Sequence, residues 1–307
     1  MAAVASPDLV LLGVASSAGS HHAGQELAPA ALRAAGLIDR LTAAGLFVAD
    51  RGDVVTEVFT VDHANPTRRN FAAVLRTARQ VADAVGGVVA DGAIPLVVGG
   101  DCTITLGVVA GVRRVRPDAG LFYFDGDADL ATPESTSSGV LDAMGIAHLL
   151  GLIDNELADL GGDRPLLPSE RLVLFGVDET DPESFRERVL RDHPDLRWYP
   201  DRLVRRDPVG SARTALERLG TGAGVIVHFD VDAVDSGDLP LANYPHYGTG
   251  VSLDAAARAL AVATAAPDLT AVVLTEVNPT HDPDGRQLRR YVDAVGGALV
   301  AGLSRGV

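Results

Sequence analysis

The sequence predicts an α/β fold, a three-layer α-β-α arrangement around a mainly parallel central sheet. Short runs rich in β-branched residues alternate along the chain with longer stretches of helical apolar spacing. Hydrophobic residues fill 47% of the 307 positions and aromatics only 5%, so the core must be packed from Ala, Val and Leu, as in a sheet covered by helices. Aspartates collect directly after several apolar runs, the place where open α/β sheets gather their ligands.

The elements follow in order. Residues 9–14 read as the first buried strand; the opening MAAVASPDLVLLGVA has an apolar run without the basic flank of an export signal. Residues 28–44 have helical spacing, 46–48 form a short second strand, 68–89 a long second helix and 94–98 a third strand. Strands at 121–124 and 172–176 continue the series, followed by helices over 181–191 and 208–219. A strand at 225–229, a helix at 253–264, a strand at 269–274 and a helix at 287–303 complete it. Sequential βα units make a mainly parallel sheet whose loops converge at the carboxyl ends of the strands. No Pro- or Ser-rich linker and no repeat of fixed period divides the chain, so residues 1–307 are expected to form one domain. The longest polar insertions after strands, 131–139 and 236–250, are the expected pocket walls.

Composition narrows the function classes. The formal charge is −15, from 41 acidic against 26 basic residues, and no run of Arg forms a stripe able to neutralise phosphates, so nucleic acid is not an expected partner. The chain contains no lysine, which excludes Schiff-base chemistry, pyridoxal phosphate attachment and a Walker-type phosphate lysine. Cys102 is the only cysteine, so no intrachain disulfide forms and the cytoplasm is the expected location. No stretch reaches the roughly 20 apolar residues of a membrane span.

Three strand ends carry unusual acid density: Gly99-Gly100-Asp101-Cys102, Asp125-Gly126-Asp127-Ala128-Asp129, and Asp230-Val231-Asp232. Asp-x-Asp at a strand end directs two carboxylates to one side, and like charges held there repel unless a cation binds them. One such pair is an ordinary turn or helix cap. Several at successive strand ends point to a metal site.

On these motifs the sequence resembles the ureohydrolase superfamily of arginases, agmatinases, guanidinobutyrases and formiminoglutamases. The family pattern of a Gly-Gly-Asp-His turn, an Asp-x-His-x-Asp strand end, a Ser-x-Asp-x-Asp-x-x-Asp segment and a late Glu-x-Asn-Pro reads here GGDC, DGDAD, HFDVDAVD and EVNP. The flanks agree, with PESTSSGVLDAMGIAHLLG after the second motif, Arg51-Gly52-Asp53 early on, and Gly24, Pro29 and Arg33 near the start. The resemblance implies two divalent metal ions, usually manganese, held by Asp125, Asp129, Asp230 and Asp232, with Asp125 and Asp230 bridging. Cys102 and Asp127 stand where the family has two ligand histidines and complete the expected set. A thiolate is softer than imidazole, which tilts the expected metal toward zinc, nickel, cobalt or iron. Ionised Cys102 and five aspartates outweigh two divalent ions in charge, and an anionic centre favours a small cationic guanidino substrate.

The resemblance also implies hydrolysis of a guanidino or amidino C–N bond, with urea or a substituted urea released. It sets Asp129 among the catalytic groups and Glu276 at the substrate guanidinium, a planar cation matched by a two-oxygen acceptor. Asp181 and Ser138 fall at positions near the substrate. Asp142 stands where arginases carry a proton-shuttling histidine, and His246, in the second pocket loop, is the expected replacement proton carrier. Ala131 and Val140 occupy positions where arginases contact the amino-acid carboxylate, so plain arginine is not the expected substrate. Tyr244 and Tyr247 are candidates to stack on a guanidinium. His148 and His228 are expected to be structural. A homo-oligomer, trimer or hexamer, is implied by resemblance alone. Two other readings stay open: a ureohydrolase-fold binding or regulatory protein that has lost catalysis, and a hydrolase of another C–N substrate such as a formimino compound.

Overall fold

The computed structural model describes residues 8–181, 187–220 and 222–304. Eight strands are present among them: β1 (Leu9–Ser16), β2 (Val48–Glu57), β3 (Ile94–Val98), β4 (Gly120–Phe124), β5 (Leu172–Val177), β6 (Arg197–Pro200), β7 (Val225–Asp230) and β8 (Leu269–Thr275). They form one sheet in the order β2-β1-β3-β8-β7-β4-β5-β6, and every neighbouring pair is parallel. The chain leaves β3 for β4 and returns later to fill the gap with β7 and β8. The carboxyl ends of β3, β8, β7 and β4 therefore lie side by side at the middle of the sheet, a switch in strand order of the kind that opens a crevice.

Among the described residues ten α-helices surround the sheet: α1 (Ala28–Ala34), α2 (Leu37–Ala43), α3 (Phe71–Ala90), α4 (Ile104–Val115), α5 (Gly145–Leu149), α6 (Glu187–Asp192), α7 (Asp201–Arg206), α8 (Pro208–Leu219), α9 (Leu253–Ala263) and α10 (Arg286–Leu303). Alternate strand residues point to opposite faces. Val10, Leu12, Val97, Leu121, Tyr123 and Val273 pack with α3 and α4 on one face. Leu9, Leu11, Leu96, Val98, Phe122 and Leu274 pack with α1, α2, α8, α9 and α10 on the other. Local signals set the helix starts: Ser252 accepts a hydrogen bond from Ala255 N at 3.2 Å ahead of α9, and Asp207 caps Gly210 N at 2.9 Å with Pro208 as the first residue of α8.

The three-layer arrangement agrees with the sequence expectation, and several boundaries differ from it. The helix expected over 28–44 is two, α1 and α2, parted at Gly36, whose φ of +87° no helix interior accepts. The short strand expected at 46–48 is the ten-residue β2. Of the helix expected over 181–191, the described part is α6, and residues 182–186 lie outside the described residues. Both α4 and β6 were absent from the sequence reading. In α4 the glycines permit close approach: a Cβ on Gly107 would stand 2.4 Å from Ala78 O, and one on Gly111 2.5 Å from Ala82 O of α3.

Candidate metal centre

Backbone geometry at the strand ends aims the acids. Asp125 Oδ1 accepts from Asp127 N at 2.7 Å, and Asp230 Oδ1 accepts from Asp232 N at 2.7 Å. Each Asp-x-Asp thus closes a small side-chain turn that fixes its first carboxylate. The second oxygens meet: Cys102 Sγ donates to Asp230 Oδ2 and lies 3.5 Å from Asp125 Oδ2. Cys102 arrives there because Gly99 and Gly100, at φ +88° and +89°, turn the chain sharply after β3.

Asp129 and Glu276 adopt positive φ, 47° and 64°. Non-glycine residues rarely do so, and such strain gathers at functional sites. Asp129 is held by the Tyr123 hydroxyl at 2.5 Å and by Ala147 N, which donates to its carbonyl at 3.1 Å. Glu276 accepts from Gln25 Nε2 at 2.7 Å and Cys102 N at 3.1 Å, while its own N–H donates to Gly100 O at 3.0 Å. Asp142 accepts from Cys102 N at 2.7 Å and hydrogen-bonds the Glu276 carboxyl.

These groups line a cavity of about 200 Å³ with Asp127, Asp181, Asp232, Ala131, Ala143, the Thr136–Ser137–Ser138 wall, His21 and Tyr244. Of the expected site residues, Cys102, Asp125, Asp127, Asp129, Ser138, Asp142, Asp181, Asp230, Asp232 and Glu276 come together in this wall. His246 does not line it; it lies behind Asp127, its Nε2 3.5 Å from Asp127 Oδ2. Both expected loops contribute. Tyr244 reaches the cavity and stacks on His21 with ring centroids 5.8 Å apart, whereas Tyr247 is 69% exposed and outside it. Val140 is buried and also outside the wall.

Two neighbours were not singled out by sequence reasoning. His21, in the loop after β1, had no motif around it. His228 was read as structural, yet its Nε2 lies 3.6 Å from Cys102 Sγ and 3.5 Å from Asp125 Oδ2, and Thr105 Oγ1 meets its Nδ1 at 2.8 Å. The strand order β3-β8-β7-β4 is the cause, with β7 between the strands that lead to Cys102 and to Asp125. Its position two residues before Asp230, on the same face of β7, was the available signal. His148 is structural as expected, buried between Met144 O at 2.8 Å and Asn155 at 3.0 Å, and burial lowers it to about 4.

The electrostatics are those of crowded, dry carboxyls. Burial first, and then mutual repulsion, push Asp125, Asp129, Asp142, Asp230 and Glu276 well above the usual carboxylate range, and Asp232 up to about 6. Burial, with Asp230 and Asp125 beside it, likewise raises the Cys102 thiol. Burial lowers His228 to about 3. At His246 burial lowers the ring, but Asp127 and Asp232 outweigh it and hold it up at about 9. Among the described residues no arginine lines the cavity.

This donor chemistry fits two divalent cations. Cys102, Asp125, His228 and Asp230 offer four donor atoms within 4.8 Å of one another; Asp127, Asp232 and His246 offer three more. Asp127 Oδ1 and His246 Nε2 are buried with no hydrogen-bond partner, a costly condition that a cation relieves.

A family model described as "Arginase family" matches residues 7–298. The arginase of Bacillus caldovelox is 30% identical over 281 residues, covering 89% of this chain and 91% of its own. The solved native structure of that arginase superposes with a TM-score of 0.84 at 27% identity, over 97% of this chain and 99% of that one. The proclavaminate amidino hydrolase of Streptomyces clavuligerus, at 19% identity and a TM-score of 0.70, shares the fold. With the aspartate-lined crevice at the centre of the same parallel sheet, these likenesses establish that the chain belongs to the arginase family.

Proposed function

We propose that the protein is a metal-dependent hydrolase that cleaves a guanidino C–N bond and releases urea or a substituted urea. The observation that carries this reading is the convergence of Asp125, Asp129, Asp230, Asp232 and Glu276 in one cavity of an arginase-family chain. Asp125, Asp129, Asp230 and Asp232, with Cys102 and Asp127, would hold two divalent ions. When bound, these supply the Lewis acidity that brings the pKa of water toward about 7.

The residues of the chain divide the remaining work. Glu276 lines the same cavity as the aspartates and would present two oxygens to a guanidinium; Gln25 and Cys102 N hold it there. Asp142, in contact with Glu276 and facing the cavity, would pass a proton to the leaving amine. Eight carboxyl groups line the wall, at Asp125, Asp127, Asp129, Asp142, Asp181, Asp230, Asp232 and Glu276, which selects a cation. Tyr244 and His21 offer an aromatic face at the same wall. With Ala131 on the wall and no arginine there, a guanidino compound lacking an α-carboxylate is the favoured substrate.

The test is urea release from a panel that includes arginine and guanidino compounds without the α-carboxylate, after loading with manganese, zinc, nickel, cobalt or iron. The expected result is urea from at least one carboxylate-free member. Metal binding without turnover on any guanidino or formimino substrate would instead leave a binding protein on this scaffold.

A further inference from the structure

The family pattern has an imidazole at position 127, and this chain has Asp127 there. A second imidazole enters the same space from a different loop. His246 lies in the segment after β7 and is only 7% exposed. Its backbone is fixed, because its carbonyl accepts from Ser236 N at 2.7 Å, while Asp235 N donates to Val251 O at 2.8 Å and Gly248 N to Asp235 Oδ2 at 3.1 Å. The ring meets Tyr244 edge to face at 5.6 Å.

The fixed ring points Nε2 at the aspartates. His246 Nε2 and Asp127 Oδ1 are both buried without a hydrogen-bond partner, and the 3.5 Å between Nε2 and Asp127 Oδ2 is too long for a hydrogen bond. Two donors each about 2.1 Å from one ion at a near-tetrahedral angle stand about 3.5 Å apart. Asp232 supplies the third donor, its Oδ1 held by Gly126 N at 3.0 Å. His246 lies outside the cavity wall, and its ring nitrogen stands within 4.8 Å of carboxylate oxygens of Asp127 and Asp232, two residues that line it. His228 does not offer the same argument, because hydroxyls of Thr105 and Thr275 lie within 2.8 and 3.3 Å of its two ring nitrogens.

From this geometry we infer that His246 is a metal ligand, completing with Asp127 and Asp232 the second of the two ion positions, with an imidazole carried by the loop after β7 in place of one at residue 127. The inference rests on the hydrolase reading, which supplies the two ions. Two carboxylates and one neutral imidazole balance a divalent charge and leave coordination positions open, as a reactive centre requires. His246 acts here as a ligand, not as the proton carrier the sequence pointed to.

Calorimetric titration of cobalt(II) into the metal-stripped full chain tests this without reading activity. The unaltered protein should bind two ions. His246→Ala should retain one site at unchanged affinity, with the sulfur-to-cobalt absorption band of Cys102 intact, and bind at the other at least about tenfold more weakly. Asp127→His in the His246→Ala background should recover much of the lost affinity. If His246→Ala misfolds by circular dichroism, His246→Gln, closer in volume, carries the same reading. Two sites within about twofold of the unaltered affinities in a folded His246 variant would overturn the inference and leave the hydrolase reading standing. No cobalt bound by the unaltered chain would overturn both.

Discussion

At Glu276 the backbone is held at φ 64° by its own N–H on Gly100 O, and the carboxylate is fixed by Gln25 and Cys102 N. Glu276→Gln keeps the shape and removes the charge. A charge-assisted hydrogen bond to the guanidinium contributes about 1.5–3 kcal/mol, so kcat/KM for urea release should fall by about 10- to 100-fold, with little change in melting temperature. On the proposed role of Asp142 as proton donor, Asp142→Asn should lower kcat by about 100-fold or more while KM changes little. An Asp142→Asn enzyme of undiminished kcat would exclude that role.

His148 makes a stability prediction of opposite character. Burial lowers it from 6.5 to about 4 in the folded chain, so the unfolded chain takes up a proton first as pH falls. The sign follows: its stabilisation is complete above about pH 6.5 and is lost as pH falls toward 4, by up to about 3 kcal/mol. Urea denaturation from pH 7 to 4 should show this loss, and His148→Gln should flatten that part of the profile. The aspartates were legible in the sequence because each follows its strand directly, so chain position alone aims them. His228 was not, because its nearness to Cys102 is made by the strand order β3-β8-β7, which no local pattern contains.

Among the elements, α4 is the most instructive miss. Its sequence ITLGVVAGVRRV holds two glycines and many β-branched residues, all poor helix formers. Tertiary packing overrides the propensity, since Gly107 and Gly111 let α4 settle onto α3. Gly111→Leu should therefore destabilise the protein by at least about 1–3 kcal/mol, read as a lower urea midpoint at unchanged slope. Because the N-terminal turn of α4 follows Cys102, metal affinity should weaken too. The edge strand β6 was missed and β2 was read too short for another reason. β2 reads VADRGDVVTE and is half-exposed, and a charged edge strand has neither a buried run nor clean alternation. The buried central strands, by contrast, were legible almost to the residue.

For the whole molecule, the sheet order decides where charge accumulates. Setting β3, β8, β7 and β4 side by side brings acids from the ends of β8, β7 and β4, with Cys102 from that of β3, into one cavity, in a chain whose net charge is already −15. Such a centre destabilises the fold until cations fill it. Divalent ion at about 100 times its Kd should raise the melting temperature by about 4 °C or more, and a chelator should reverse the gain. On the proposed function, the same asymmetry of charge should favour cationic over anionic substrates, less so as salt rises.

The central claim is a two-ion hydrolase, and the most direct test is elemental analysis of the purified chain, before and after dialysis against each candidate metal, paired with urea release. The account predicts about two ions per chain, with turnover present in the unaltered protein and lost in Asp125→Ala and Asp230→Ala. A folded chain that takes up no metal from any of these ions and releases no urea would contradict it.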